Sequence, residues 1–516
     1  MGSSAARHAG RRTQGRLTHG EGYLAQDVHR RLRHGGHGED AFANETAASE
    51  SVSCDIVIVG AGNSGLAACV QAAELGAKVV CVERQGSVGG NGQFTRGIFG
   101  LGSRLMTEQG TTADGGAMIR DELRASQYRG SGIHLSSMVK AAAGNIDWLL
   151  DQGVTFTAVE HETFHDFAGH YAGASEHYTA PMEARARALG VDFLLDTLAT
   201  DVVMGEDGSA CGVMAEGPQG TVRIDAKAVI LGGGGFVQNK ELMQEYIGVD
   251  IDRNVQLMGN PGIDGSTIQM AIAAGAKSNM GHAGVQGTLQ VIGLPDYIAD
   301  GAYFSGTLEN EPFPGIWVNQ DAVRYVNEDC GKESWPLSDM AAMAAEDNYV
   351  LLDAAMYDDF VESLGAPREA VDSQLQEGKD LGQIFEADSW KALAQAAGLD
   401  ADQLVETVEG YNVLCEAGAD TDFGRAPEYL RAFGDGPYLA IRTGHLVICS
   451  FAGVCTDLKA RALDKDGKPV PGLYVVGNDG AMLWANEYTI IIPGGTNGHN
   501  VNSGRVAAQD AVGLLG

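Results

Sequence analysis

The stretch that decides the fold is Asp55-Ile-Val-Ile-Val-Gly-Ala-Gly-Asn-Ser-Gly65. Its first half is a run of β-branched apolar residues, which is typical of a short strand buried on both faces. The next segment, Leu66–Gly76, has the composition of a helix that ends on a glycine, and Lys78–Glu83 that of a second strand ending on an acid. Strand, glycine turn, helix and strand within about 30 residues predict a βαβ unit.

The glycines of this turn each have a physical task. Gly60 permits the tight turn, Gly62 lets the backbone approach a pyrophosphate, and Gly65 allows the helix to pack closely on the strand. The N-terminus of the helix offers N–H groups and the positive end of its dipole to phosphates. Glu83, 23 residues after Gly60, is placed to accept hydrogen bonds from a ribose diol. The sequence therefore predicts dinucleotide binding.

A second glycine-rich segment favours FAD over NAD. Gly86–Gly92 follows directly on the second strand, and it suits a flavin whose pyrophosphate and ribityl chain run along the domain. The 516 residues contain one such βαβ fingerprint.

Further motifs follow in a fixed order along the chain. They are Glu83–Asn91, Val229–Phe236 with Asn239, Val318-Asn319, Arg324–Glu328, Thr407–Asn412, Asp420–Phe423 and Gly472–Asn478. The ordered set resembles the FAD-dependent fumarate reductase/succinate dehydrogenase flavoprotein family, which includes urocanate reductases and 3-ketosteroid dehydrogenases. The resemblance spans residues 53–514.

The resemblance implies an α/β fold with a Rossmann-like FAD-binding domain of the glutathione-reductase type and an inserted α+β capping domain. We expect the FAD-binding domain at residues 51–275 and 431–516 and the capping domain at 276–430. Residues 1–50 differ in composition from the rest, and we expect them to be a disordered leader. The substrate would lie between the capping domain and the flavin, since ligand sites favour such interfaces.

The glycine pattern and the resemblance together assign the cofactor site. The expected FAD-binding residues are Gly60, Gly62, Asn63, Ser64, Gly65, Glu83, Arg84, Gly90, Asn91, Gly92, Thr95, Gly234, Asp264, Gly477, Asn478, Gly494, Gly495, Thr496 and Asn497. The His-Ser-His type of stretch that carries covalent flavin in membrane-bound relatives is absent near Asn91–Thr95, so we expect non-covalent FAD.

The chain departs from the fumarate-reducing members at their carboxylate-binding positions. The histidine pair of the family falls on Ile448-Cys449, and the proton-donating arginine, four residues after Glu328, is Lys332. The fumarate-reducing members carry two further arginines and one further histidine. The segments of this chain that match the two arginines, Glu311–Gly315 and Ile491–Gly495, contain no arginine, and the segment Gly281–Gln286 has no counterpart of the histidine. Burying a carboxylate without a partner is costly, so fumarate is expected to be a poor substrate.

Four residues are the catalytic candidates: Lys332 for proton delivery, Tyr488 for polarising a carbonyl, and Arg324 with Glu328 either in the site or as an ion pair beneath it. A set of aromatic residues suggests a bulky, neutral, unsaturated carbonyl substrate, although some are expected to be ordinary core. This set is Tyr303, Phe304, Phe313, Trp317, Trp335, Phe451, Trp484 and Tyr488.

The composition limits which molecules the protein is expected to bind. The net charge of −33 argues against binding to nucleic acid or to anionic membrane surfaces. The sequence contains no run of 18 apolar residues, so we expect no membrane-spanning helix. The cysteines lack metal-ligand spacing, so we expect no metal site. No apolar segment follows Arg11-Arg12, which favours a cytoplasmic location and leaves twin-arginine export open.

Three functions remain open. The first is reduction of a carbon–carbon double bond conjugated to a carbonyl, by hydride from the flavin and a proton from a side chain. The second is a 3-ketosteroid-type dehydrogenase running in the oxidative direction, and the third is an electron-transfer flavoprotein subunit of a complex. With one dinucleotide fingerprint and no haem or cluster motif, the chain is expected to need a separate electron-donor protein.

Overall fold

The computed structural model describes residues 50–94, 97–110, 113–156, 158–161, 166–170, 178–296, 299, 301–308, 315–332 and 336–515. The predicted leader lies outside the described residues apart from Glu50.

The strands are numbered in chain order. They are β1 (Glu50–Ser53), β2 (Ile56–Val59), β3 (Val79–Val82), β4 (Ala158–His161), β5 (Asp166–His170), β6 (Asp192–Leu194), β7 (Leu198–Met204), β8 (Ala210–Gly217), β9 (Gly220–Asp225), β10 (Ala228–Leu231), β11 (Val255–Leu257), β12 (Gly284–Gln290), β13 (Ile316–Asn319), β14 (Asn348–Leu352), β15 (Ile384–Ala387), β16 (Tyr438–Phe451), β17 (Arg461–Leu463), β18 (Pro469–Val475) and β19 (Asn486–Glu487).

The α-helices are numbered in the same direction. They are α1 (Asn63–Glu74), α2 (Arg104–Gln109), α3 (Gly115–Ala125), α4 (Gly132–Asp151), α5 (Ala180–Ala188), α6 (Lys240–Leu242), α7 (Ser266–Ala273), α8 (Pro336–Ala342), α9 (Ala354–Ser363), α10 (Arg368–Asp380), α11 (Trp390–Ala397), α12 (Ala401–Ala417) and α13 (Gly495–Gly513).

A six-stranded sheet carries the glycine turn. Its order is β17-β18-β10-β2-β3-β6, with parallel pairing from β18 to β6 and an antiparallel edge strand β17. Every residue of β2, β3 and β10 is buried, as expected for parallel strands covered on both faces. The predicted βαβ unit is β2–α1–β3, and its helix begins at Asn63, three residues before the predicted start.

A second large sheet has seven strands. Its order is β13-β14-β16-β12-β19, and β11 and β15 also pair with β16. The 14-residue strand β16 is antiparallel to β14, with Asn348 opposite Thr443. The boundary expected at residue 431 therefore separates β16 from β13 and β14, the strands with which it forms this sheet. Sequence patterns show where a strand lies but not which strand it will pair with.

Two helices far apart in the sequence, α1 and α13, pack together against the six-stranded sheet. Helix α13 lies against α1, and a Cβ on Gly504 would lie 2.2 Å from the carbonyl oxygen of Ser64. Glycine at this position permits the close approach of the two helices. In the described part of the chain, no helix combines the length and apolar character that crossing a membrane requires.

Candidate active site

A cavity of about 800 Å³ opens at the carboxyl ends of the central parallel strands. Val59 and Gly60 line it at the end of β2, Val82 and Glu83 at the end of β3, and the glycines after β10 close a third side. Ligands of open α/β sheets bind at this edge, where the strand order reverses.

In the turn after β2, neighbouring backbone atoms leave no space for a Cβ at two of the glycines. Gly60 has φ +94°, and a Cβ on it would lie 2.2 Å from the carbonyl oxygen of Gly232. A Cβ on Gly65 would lie 1.8 Å from the oxygen of Gly60. A Cβ on Gly62, by contrast, would meet Gly89 O at 3.8 Å and no nearer protein atom. The cavity side of Gly62 is therefore open to a ligand that contacts the backbone.

The N-terminus of α1 lies at this region of the cavity. Its N-cap is Gly62, which offers no capping side chain, and the first turn contains no acidic residue. Asn63 and Ser64 line the cavity. The positive end of the helix dipole is thus available to phosphate groups.

Glu83 ends β3 as a buried carboxylate on the cavity wall. Its Oε2 accepts a hydrogen bond from the N–H of Ala61 at 2.8 Å, and its Oε1 accepts one from the N–H of Gln85 at 2.9 Å. Burial raises the pKa of Glu83, and these N–H groups partly offset that effect. Each oxygen keeps a lone pair for a ribose hydroxyl, the role that the sequence predicts.

Asp479 holds the second glycine loop and was missed by the sequence analysis. Its carboxylate accepts hydrogen bonds from the N–H groups of Gly233 and Gly235, both at 2.7 Å, and from the Thr267 hydroxyl at 2.6 Å. Its side chain is fully buried, and this burial raises its pKa. Asp479 fixes the loop after β10 against the cavity. Asp479 directly follows the Gly477-Asn478 motif, but that position does not indicate which loop it binds.

Most of the residues predicted to bind the cofactor line this one cavity. They are Gly60, Gly62, Asn63, Ser64, Glu83, Arg84, Gly90, Asn91, Gly92, Gly234, Asn478, Gly494, Thr496 and Asn497.

Other predicted cofactor residues lie behind the wall or outside the described residues. Gly65 and Gly477 allow close backbone packing, Gly495 packs near Trp484 and Tyr488, and Asp264 pairs with Arg84 at 2.9 Å. Thr95 lies outside the described residues.

The donors and acceptors on the wall fit FAD. Asn478 Oδ1 and Thr496 Oγ1 are buried, line the cavity and have no hydrogen-bond partner among the described residues. Unsatisfied buried polar atoms are rare in proteins, and here they face the space that a flavin would fill. Helix α13 begins at this point with Gly494 as its N-cap at φ +65°.

Tyr488 lines the cavity, but its hydroxyl is already engaged. It donates to the carbonyl of Ile492 at 3.2 Å and accepts from the N–H of Thr496 at 3.2 Å. Its ring packs edge-on against Trp484, with centroids 4.8 Å apart. The proton that was expected to polarise a substrate carbonyl is thus bound to the chain itself. In this geometry Tyr488 holds the loop before α13, and its action on a substrate carbonyl stays a prediction.

Arg324 and Glu328 form an ion pair beneath the site. Arg324 Nε and Nη2 donate to the two oxygens of Glu328 at 2.8 and 2.7 Å, and Nη2 also donates to Asp420 at 2.8 Å. Neither residue of the pair is among the described residues that line the cavity. The pair supports the 3₁₀ turn Glu328–Lys332, whose Gly331 is part of the wall. The backbone of Lys332 belongs to this turn, and its side chain lies outside what the structure describes.

Among the described residues, the wall that remains for a substrate is neutral. Uncharged residues form it: Gln286, Thr288, Ala302, Ser305, Gly306, Thr307, Gly331, Ile448, Cys449, Tyr488 and Ile490. The charged members among the described lining side chains are Glu83 and Arg84 at the end of β3, and Arg84 is bonded to Gly262 O at 2.7 Å and to Asp264. Ile490 has φ +56°, a strained value for a β-branched residue.

Comparison with known proteins agrees with this site. The model of the FAD binding domain family matches residues 55–497. The chain belongs to the FAD binding domain family. It is 29% identical to the vinyl phenol reductase of Lactiplantibacillus plantarum, over 89% of this chain and 97% of that protein. It is 27% identical to the fumarate reductase (cytochrome) of Shewanella frigidimarina, over 89% of this chain and 76% of that protein.

A solved structure shows the same fold. The 3-ketosteroid-delta4-(5alpha)-dehydrogenase from Rhodococcus jostii, in complex with 4-androstene-3,17-dione, matches with a TM-score of 0.68 at 22% identity. The match covers 90% of this chain and 98% of that chain. As the sequence predicted, this member of the FAD binding domain family is an FAD-dependent oxidoreductase with a flavoprotein α/β fold.

The aromatic set of the sequence analysis proves to be mostly core in this flavoprotein. Tyr488 is its member on the cavity wall, whereas the other described members do not line the cavity. Trp317 and Trp484 are fully buried, because large aromatic side chains fill the space between sheets. Phe313 and Trp335 lie outside the described residues. The sequence analysis did not single out Gln286, Thr288 or Ser305, since isolated neutral polar residues carry no pattern.

Proposed function

We propose that this flavoprotein uses non-covalently bound, reduced FAD to saturate a carbon–carbon double bond conjugated to a neutral polar group. The sequence favours enones and acrylate-type compounds as substrates. We include vinyl phenols in the substrate class because the chain is similar to the vinyl phenol reductase of Lactiplantibacillus plantarum. A dicarboxylate such as fumarate is not the expected substrate.

The neutral wall is the observation that carries this proposal. A dianion needs cationic partners in a buried site, because an unpaired carboxylate loses its hydration without compensation. The described side chains around Gln286, Ser305 and Cys449 offer hydroxyl, amide and thiol groups but no positive charge. Such a wall suits a carbonyl or phenol oxygen and an apolar skeleton.

The chain's residues hold the cofactor and shape the site. The backbone of Gly62 and the N-terminus of α1 would hold the pyrophosphate, Glu83 a ribose, and Asn478 and Thr496 the polar groups of the flavin. Bound in its reduced state, FAD supplies a hydride. Tyr488, bonded to Ile492 and Thr496, keeps the loop before α13 in place. Non-covalent attachment is supported by the sequence near Asn91, which contains no histidine.

The second carbon of the double bond gains a proton. Lys332 remains the candidate that the sequence proposes, because it follows Gly331 on the cavity wall and belongs to the turn that Arg324 and Glu328 support. A positioned general acid contributes about 10²–10⁴-fold to a reaction rate.

A reoxidation assay tests the substrate class. The purified, chemically reduced holoprotein is mixed without oxygen with an enone, a cinnamate, a vinyl phenol or fumarate, and the return of the oxidised flavin absorbance is followed. Each charge-assisted contact is worth about 1.5–3 kcal/mol, so fumarate, lacking at least two, should react about 10²–10⁴-fold more slowly than the best neutral substrate. Fumarate reduction at the rate of the best enone would contradict the proposal. Turnover of a saturated ketone with a dye acceptor would instead identify a dehydrogenase.

A further inference from the structure

One serine of the neutral wall carries a buried hydroxyl group without a hydrogen-bond partner. Ser305 lines the cavity and is 2% exposed. Its Oγ has no hydrogen-bond partner among the described residues. Because buried polar groups almost always have such a partner, this oxygen indicates that a ligand in the cavity supplies one.

The backbone fixes the face on which the Ser305 side chain lies. Ser305 forms an antiparallel bridge with Gln290, the last residue of β12. On either side of this bridge, the N–H groups of Gly306 and Val291 donate to the opposite chain at 3.1 and 3.2 Å. Ser305 and Gln290 are therefore a non-hydrogen-bonded pair, in which the two side chains share one face and lie close together.

That face is the cavity side of β12. Side chains alternate along a strand, so Gln286, Thr288 and Gln290 share one face, and the first two line the cavity. The register shift between β12 and β16 adds a residue to β16 and none to β12, so the alternation along β12 is unbroken. Gln290 is fully buried and is not among the described residues that line the cavity. A ligand therefore meets Ser305, and Gln290 lies behind it.

Gln290 offers Ser305 an acceptor and no donor. Its Nε2 donates to the carbonyl groups of Val291 and Leu294, both at 2.9 Å. Both amide hydrogens are thus used, and the orientation of the amide is fixed. Its Oε1 is buried and lacks a hydrogen-bond partner among the described residues. The two side chains therefore contain two unpaired oxygens and one available hydrogen, that of the Ser305 hydroxyl.

This count of hydrogens decides which ligand group the pair suits. A carbonyl or ether oxygen accepts but does not donate, so it would take the Ser305 hydrogen and leave Gln290 Oε1 buried and unpaired. A ligand hydroxyl instead donates to Ser305 Oγ, and Ser305 then donates to Gln290 Oε1. Since leaving a buried acceptor unpaired costs free energy, the site favours a ligand that brings a hydrogen.

We propose that Ser305, oriented by Gln290, binds a hydroxyl group of the substrate, and that the substrate is a phenol whose ring is conjugated with the double bond. The inference rests on the proposed function and narrows its substrate class to the members that donate a hydrogen bond. Ser305 contacts the substrate. Gln290 acts through Ser305 and is a positioning residue.

A binding measurement tests this preference without turnover. The oxidised holoprotein is titrated with para-ethylphenol, with its methyl ether para-ethylanisole and with para-ethylaniline, and the change in flavin absorbance gives each Kd. The unpaired acceptor should make the ether bind about 5–150-fold more weakly than the phenol. The aniline, whose N–H donates, should also bind more tightly than the ether. Equal Kd values for the phenol and the ether would overturn the proposal.

Variants test the two residues separately. Ser305→Ala should weaken phenol binding and bring its Kd close to that of the ether, whereas Ser305→Thr, which keeps the hydroxyl, should retain the preference. Gln290→Met removes the acceptor and frees the Ser305 hydrogen, so the ether should gain affinity relative to the phenol. Ser126→Ala is the matched control, because the buried Ser126 hydroxyl donates to Leu123 O at 3.3 Å and Ser126 is not among the described lining residues.

Three further outcomes contradict the proposal. A wild-type ratio of phenol to ether affinity in Ser305→Ala would mean that another group recognises the hydroxyl. The same ratio in folded Gln290→Met would mean that Gln290 does not orient Ser305. Loss of FAD from purified Ser305→Ala would assign Ser305 to the cofactor. Failure of the proposed function is distinct: no substrate of the panel would then reoxidise the reduced wild-type protein, while titration of the oxidised protein still measures the preference.

Discussion

Glu122 is a fully buried carboxyl group on α3 whose protonation should control stability. Burial raises the pKa of Glu122 to about 7, although the Thr489 hydroxyl donates to its Oε1 at 2.6 Å. Since the folded pKa lies above the ordinary value of 4.5, the stabilisation is complete below pH 4.5 and is lost as the pH rises through 7. Glu122→Gln, which remains neutral, should therefore have a free energy of unfolding within about 1 kcal/mol of the wild type at pH 5 and be more stable by about 3 kcal/mol at pH 9.

Urea unfolding of both proteins between pH 5 and pH 9 measures this difference. The exposed Glu369 on α10 offers a control, because Glu369→Gln removes a carboxylate without changing a buried site. A stability difference between Glu122→Gln and the wild type that stays constant with pH would show that Glu122 is not titrating in this range.

At the scale of single residues, the sequence predicts the role of a residue when that role depends on residues nearby in the chain. Gly60, Gly62 and Glu83 could be assigned because a short segment contains the whole βαβ unit. Asp479 could not, since its partner Gly233 is 246 residues away and the bond exists only once the two segments have folded together.

At the scale of elements, two buried arginines, Arg324 and Arg425, hold the turn Glu328–Lys332. Arg324 is buried between Glu328 and Asp420, and Glu328 Oε1 also accepts from the N–H of Trp317 at 3.1 Å. Burial alone would raise the pKa of Asp420, but the hydrogen bonds from Arg324 and from backbone N–H groups lower it. Removing the cation from a buried pair costs about 3–5 kcal/mol, because each buried carboxylate loses its nearest positive partner. Arg324→Met should lower the free energy of unfolding by that amount.

Chemical denaturation of the holoprotein tests the role of Arg324. Arg368→Met is the matched control: its side chain is 50% exposed and pairs with Asp358 and Asp372, so its loss should cost at most about 1 kcal/mol. Equal losses in the two variants would mean that the buried network adds nothing to a surface pair.

Helix α13 shows what sequence patterns miss at the scale of elements. The pattern predicts a helix from Asn502, yet α13 begins at Gly495. Glycine disfavours helices by about 1 kcal/mol per residue, so Gly495 and Gly498 obscure the first turns of α13 in the sequence pattern. Tertiary packing reverses that preference, because Gly504 lets α13 approach Ser64 of α1 and Gly495 begins the helix at the cavity. The sheet containing β16 was missed similarly, since pairing between distant strands has no local signal.

The charge of the whole molecule, −33, bears on how electrons arrive. The chain carries one βαβ fingerprint, and its turn lines the cavity that fits FAD, so the sequence offers no second dinucleotide motif for NADH. We therefore propose a separate electron donor, and an anionic protein favours a cationic one.

Reduced methyl viologen, a cation, should reduce the flavin rapidly, and its rate should fall as added salt screens the attraction. NADH, an anion, should reduce the flavin slowly, and salt should not slow it. Stopped-flow bleaching of the flavin absorbance measures both rates at low and high salt. Rapid, stoichiometric bleaching by NADH would refute the separate donor, and a viologen rate independent of salt would refute the electrostatic attraction.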